Sequence, residues 1–217
     1  MSIVNTLDRI TEWAQENLCE PVKFKAPPKE DEAKVKKTLD RNLSGDQVND
    51  GAGYEYKRVT PIAFEWLVPS KDRIPDVQSP FPSICVRLSE GDSERGSGTI
   101  PVELCFSVWN PGTHGSDIIK PLEDGSYERW TGDDAKNFFE RNNDGWRDVW
   151  NWVDLALREI ESTDNLNGIL IDRSTVKYGP FKIEGEMADF YPFWFAYISF
   201  DVKHNVSRNV SRYDKFL

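Results

Sequence analysis

The amino-acid sequence predicts an α+β fold: a mainly antiparallel sheet with a long hairpin, covered by an N-terminal helix and a large amphipathic helix. Three stretches predict it. Residues 189–202, D-F-Y-P-F-W-F-A-Y-I-S-F-D-V, alternate with the period of a strand. Residues 84–108 hold two further alternating runs around a loop rich in Gly and Ser. Residues 145–162 repeat apolar side chains at helical spacing.

The first stretch is the expected central strand. Trp194, Ala196, Ile198, Phe200 and Val202 form one wholly apolar set, which must be buried throughout. Phe193, Phe195, Tyr197, Ser199 and Asp201 form the other, apolar at its start and polar at its end. Cover is needed there only over the first half, from the protein's own loops or from a neighbouring subunit. Pro192 has no N–H to give a ladder, so pairing should begin after it. In the hairpin, Ile84, Val86 and Leu88 face the same way as Ile100, Val102, Leu104, Phe106 and Val108 only if paired residues share parity. A loop centred near Glu94 then sets Cys85 beside Cys105 on the outer face, read as two reduced thiols.

The remaining elements follow in order. Ser2 starts a helix with an apolar stripe of Ile3, Val4, Leu7, Ile10, Trp13, Ala14 and Leu18, and Pro21 stops it. A short extended piece occupies 22–25. Residues 26–54 are a highly charged excursion with few large apolar side chains. Over 54–82 five prolines argue against regular sheet, while Ala63, Phe64, Trp66, Leu67 and Val68 need burial. A second excursion spans 113–143 and includes a short helix begun by Asp133 and Asp134. Asp144 caps the main helix, whose stripe is Trp146, Val149, Trp150, Val153, Ala156, Leu157 and Ile160; Trp152 and Leu155 lie off it. Asn167-Gly168 makes a turn, and 169–171 and 176–183 supply strands. The chain divides into one domain over 1–202 with its two excursions and a basic arm at 203–217.

The chain has 217 residues, enough for a core without metal or disulfide; its three cysteines suit a reducing compartment. No run is long and apolar enough for a membrane span, and the first residues lack the pattern of a signal peptide. The formal charge of -10 opposes general nucleic-acid binding. With two histidines, and no phosphate loop, C-x-x-C, H-E-x-x-H or G-x-S-x-G, the expectation is no enzyme, no cofactor and no metal. The enzymatic alternative groups His114, Asp117, Asp133 and Asp134 as a metal-assisted hydrolase.

Four strings, F-P-S-I-C-V-R-L-S-E-G-D at 81–92, D-G-W-R-D-V-W-N-W-V-D at 144–154, Y-G-P-F at 178–181 and D-F-Y-P-F-W-F-A at 189–196, resemble the tail terminator (tail completion) proteins of bacteriophages and phage-like contractile particles. The resemblance covers about 64–202. It implies a homohexameric ring that caps the head-proximal end of a tail tube, ends polymerisation, and docks the head-side connector and, in contractile systems, the sheath. DNA would pass the lumen without specific binding, and the protein would move from host cytoplasm to the particle tail. Candidate subunit or partner contacts are Trp109, Trp130, Trp152, Phe193, Phe195, Tyr213, Phe216 and Leu217; each reads equally as a core or loop residue. Other readings are another head–tail joining or tube subunit, and a small cytosolic metal-dependent hydrolase or ligand-binding domain.

Overall fold

In the computed structural model, residues 3–27, 58–70, 80–94, 97–110, 119–121, 127–129, 145–163, 165–187 and 190–205 are described. Helix α1 spans Ile3–Ala14 and continues as a π-helical turn, Gln15–Cys19. Strands β1 (Phe24–Lys25) and β2 (Arg58–Val59) form a small antiparallel ladder. Then come β3 (Ile62–Glu65), β4 (Ser83–Leu88), β5 (Asp92–Glu94) and β6 (Ser97–Trp109). A hairpin of β7 (Ile119–Pro121) and β8 (Tyr127–Arg129) precedes helix α2 (Trp146–Ser162). The chain continues through β9 (Asn165–Leu166), β10 (Ile169–Pro180), the hairpin of β11 (Lys182–Ile183) and β12 (Glu186–Met187), and β13 (Phe193–Asn205). The main sheet runs β3-β4-β6-β13-β10-β9, with β5 beside β6. All its pairings are antiparallel except β3 with β4, so the class is α+β.

The parity rule decides the register. Ile84 pairs with Phe106, Val86 with Leu104 and Leu88 with Val102. Across the next ladder Ala196 meets Phe106, Ile198 meets Leu104 and Phe200 meets Val102. One face of three strands is therefore continuously apolar, and both helices pack against it to form the core. Pairing of β13 starts at Phe193, directly after Pro192.

Four expectations need correction. Regular sheet does occur among the prolines, because β3 needs only four residues to pair in parallel with β4. Its Ala63 N–H, aimed at the open edge, donates to Gln15 Oε1 at 2.9 Å, so α1 closes that edge. Trp66 and Leu67 are not buried; they are 55% and 61% exposed. Residues 169–180 make one strand, since three extra residues bulge out between Asp172 and Lys177 and pairing then resumes. The buried face of α2 is rotated toward Trp152, which is 1% exposed, while Trp146 is exposed.

The reason for that rotation is a polar bond inside the core. Trp152 Nε1–H donates to the Leu18 carbonyl at 2.8 Å, satisfying one of the carbonyls left over where α1 ends. The indole also lies against Phe24 and Phe106, with ring centroids 4.8 and 5.3 Å away. The candidate contact Trp152 is thus a joint between the helices and the sheet, enclosed within the subunit.

A second joint centres on Asn110, just past β6. Its N–H donates to Pro192 O at 3.0 Å, and its carbonyl accepts from Trp194 Nε1 at 2.8 Å. Its side chain accepts from Lys25 Nζ at 3.0 Å and donates to Asp148 Oδ2 at 2.6 Å. Burial lowers the Lys25 pKa, with Asp148 opposing and Arg58 reinforcing the shift. Gly145 packs so closely here that a Cβ would sit 2.1 Å from Asn110 O. The N-cap of α2 is Gly145, with no side-chain cap hydrogen bond, rather than Asp144 as expected; Ser2, Asp144 and most of both excursions lie outside the described residues.

Two outcomes follow for urea denaturation. Trp152→Phe, which retains a ring but strands the Leu18 carbonyl, should cost about 1–2 kcal/mol, and Trp152→Ala about 3–5 kcal/mol. Gly145→Ala should cost about 1–3 kcal/mol by forcing Asn110 and Trp194 apart.

Candidate functional site: an aromatic cavity on the outer sheet face

The face of the sheet away from the helices follows the second alternation set. Ser83, Ser107 and Phe195 stand in one row across β4, β6 and β13, and Cys85, Cys105 and Tyr197 in the next. Arg87, Glu103 and Ser199 form the third row. Ser107 and Phe195 from the first row and Cys85 and Cys105 from the second floor a cavity of about 420 Å³. Its walls are Phe81, Phe181, Phe190 and Phe193, with Val68 and Arg87 at its border.

The aromatic half of β13 is covered by the subunit's own segments. Phe81 stands 5.0 Å from Phe193 and 6.3 Å from Phe195, centroid to centroid. Phe190 meets Phe195 edge-on at 5.5 Å, and Phe181 lies 6.3 Å from the same ring. These tilted and edge-to-face arrangements suit the ring quadrupoles. The cover is incomplete, since Phe181 and Phe190 remain exposed. Where the face turns polar, Tyr197 lies across Gly179, at which a Cβ would touch the ring at 3.3 Å.

Polar atoms on the floor are largely paired. The Ser83 and Ser107 hydroxyls are 2.8 Å apart, and Ser107 also donates to Ser83 O at 3.0 Å. Cys85 and Cys105 are direct cross-strand partners, as the parity argument required, and both are free thiols. Burial is the main cause raising the Cys85 pKa, against the lowering effect of Arg87. Burial, reinforced by Glu103, pushes the Cys105 thiol up to about 12. Both thiols are protonated at neutral pH, so neither is an activated nucleophile. The Arg87 guanidinium sits beside them and Glu103, and its buried Nε makes no hydrogen bond.

On the other side of the Phe181–Phe190–Phe193 ridge lies a second cleft of about 510 Å³, lined by Trp146, Trp150, Met187, Tyr191 and Trp194. Met187 is 73% and Tyr191 55% exposed. Arg147 caps the Trp146 ring at 5.0 Å. Two apolar clefts and the exposed rings between them thus occupy one end of the sheet.

Of the candidate contacts, Phe193 and Phe195 line both clefts. Trp109 pairs with Phe193 and is buried. Trp130, Tyr213, Phe216 and Leu217 lie outside the described residues, as do His114, Asp117, Asp133 and Asp134. Among the described residues no group of three or more His, Cys, Asp or Glu is placed to hold a metal. No described helix is long and apolar enough to cross a membrane. Sequence reasoning missed Phe81, Phe181 and Phe190; the available signal was an aromatic beside a proline in Phe81-Pro82, Pro180-Phe181 and Phe190-Tyr191-Pro192.

Comparison with protein-family models, curated proteins and solved structures gives no match in any of the three.

The thiols give a direct assay of this packing. Cys19 is also raised to about 12, chiefly by burial. Native protein at pH 8 should react with Ellman's reagent on the order of a hundredfold more slowly than unfolded chain. Because folding raises these pKa values above 9.0, their neutral forms add stability below about pH 9. That contribution should fall away as pH rises from about 9 toward about 12, seen as a declining urea midpoint.

Proposed function

We propose that this chain is a tail terminator subunit of a bacteriophage or a phage-like contractile particle. Six copies form a ring on the head-proximal end of the tail tube, stop its polymerisation and present the docking surface for the head-side connector. In a contractile particle the same ring meets the last sheath ring. The protein acts in the host cytoplasm during assembly and then in the particle's tail.

One observation carries the reading: the four strings that resemble this family are scattered in sequence but meet in space. Phe81, Cys85 and Arg87 from the first, Phe181 from the third, and Phe190, Phe193 and Phe195 from the fourth line the outer-face cavity. Trp146, Val149 and Trp150 from the second line the adjoining cleft. Aromatic surface gathered at one end of a subunit suits a protein that works by contact with other subunits. The charge of -10 suits a lumen that DNA must pass without sticking.

A second reading has one observation in its favour. A largely apolar cavity of about 420 Å³ is the size of a small-molecule pocket, which suits a ligand-binding domain.

Light scattering with and without assembled tail tubes separates the two. The terminator reading expects ring-sized particles, or rings that bind only at tube ends and halt elongation. A monomer that ignores tubes would overturn it and leave the ligand-binding reading.

A further inference from the structure

We infer that the outer-face cavity binds a small apolar monocarboxylic acid, with its carboxylate at Arg87 and its hydrocarbon body between the phenylalanine walls. The inference rests on the ligand-binding reading of this cavity and gives that reading a ligand class. It holds for a monomer and for a ring subunit alike.

The lining selects the body of the ligand. Nearly all the surface that the lining residues present is apolar. The polar groups on the floor are already committed: the Ser83 and Ser107 hydroxyls bond each other, and burial keeps the Cys85 and Cys105 thiols neutral. A peptide laid here would bring backbone N–H and C=O groups with few partners, each costly to bury unpaired. A hydrocarbon chain or ring brings none.

Volume and length set its size. About 420 Å³ is the volume of on the order of a dozen waters at about 30 Å³ each, so the ligand has about a dozen non-hydrogen atoms. The rows of Arg87 and Phe195 lie four residues apart along β6, from Glu103 to Ser107, about 13 Å at about 3.3 Å per residue. An acid of that size, extended along the strands, sets its carboxylate at the first row and its body at the second.

Charge selects the head group. Arg87 is the one charged residue among the described lining residues; Lys182, exposed on the β11–β12 hairpin, does not line the cavity. Burial is the largest influence on the Arg87 guanidinium, and Glu103, its partner across the ladder, the smallest. Its Nε is already buried without a hydrogen-bond partner, so a wholly apolar occupant would shut further N–H groups away from water at a cost. A carboxylate instead presents two acceptor oxygens to the planar fork of donors, the pairing that guanidinium geometry suits. A phosphate group carries more charge than this single cation balances.

The test titrates the full chain by calorimetry at neutral pH with 4-phenylbutyrate, 4-phenylbutan-1-ol and 4-phenylbutylamine, which share a body and differ in charge. The acid should bind about tenfold more tightly than the alcohol, and the amine more weakly than either. Arg87→Gln should erase the advantage of the acid and keep the affinity for the alcohol, which also shows that the cavity still stands. Arg87→Lys should keep part of that advantage. Val68→Trp, which adds bulk at the border of this cavity and not of the adjoining cleft, should weaken acid and alcohol alike about tenfold.

An alcohol bound as tightly as the acid, an amine bound more tightly, or an acid advantage that survives Arg87→Gln would overturn the inference and spare the ligand-binding reading. Affinities indifferent to Val68→Trp would overturn the placement in this cavity. No binding of any of the three would overturn both. Light scattering of the same samples reads the number of copies separately, so the ring reading stands or falls on its own.

Discussion

The uninterrupted antiparallel pairing of β6 with β13 sets most of this structure. Thirteen residues of each strand align from Trp109 opposite Phe193 to Ser97 opposite Asn205. A slip of one residue would carry Phe106, Leu104 and Val102 out of the core while Ala196, Ile198 and Phe200 stayed in it. Because the apolar sets of both strands must share one face, every slip by an odd number of residues is excluded, and the neighbours β4 and β10 inherit the same parity. The same alignment places Cys105, Ser107, Phe195 and Phe193 together on the opposite face. Core and cavity are two sides of one pairing.

The two sides are finished differently. On the inner side two helices supply cover and tie themselves down with polar bonds: Trp152 meets the Leu18 carbonyl beyond α1, and Gln15 meets the edge of β3. On the outer side single phenylalanines from separate segments supply the cover, each through one or two ring contacts. A helix buries its stripe along several turns at once, whereas an isolated ring leaves gaps beside it. The difference explains why the helix side has a dense core and the opposite side an apolar cavity with exposed rims.

The legible part of the fold was the part written in periods. Both alternation sets of β13, the parity of the hairpin, the cysteine pair and the turn at Asn167-Gly168 could all be read from spacing. Asn167 and Gly168 both take positive φ, as a two-residue hairpin loop demands. What escaped had no period. The short strand β3 depends on a distant side chain, Gln15, and is too brief for alternation to register. Trp152 looked misplaced because a stripe drawn from apolar spacing alone ignores the hydrogen bond that turns the helix toward Leu18. Phe81, Phe181 and Phe190 are lone rings at proline-marked corners, and only the fold reveals that they converge. The sequence could thus name Phe193 and Phe195 as needing cover but not say what covers them.

Asn110 and Gly145 bear on how this protein can change. Asn110 and Gly145, thirty-five positions apart in the chain, are in close backbone contact, locked by Trp194 and Asp148. The contact holds together the two ends of the segment between them. The entropy of holding such ends together grows only logarithmically with loop length, by about 0.6 kcal/mol per doubling. A change in the number of residues between Asn110 and Gly145 therefore adds little to the cost of closing their joint, so this is a point in the chain where residues can be gained or lost while that joint stays shut.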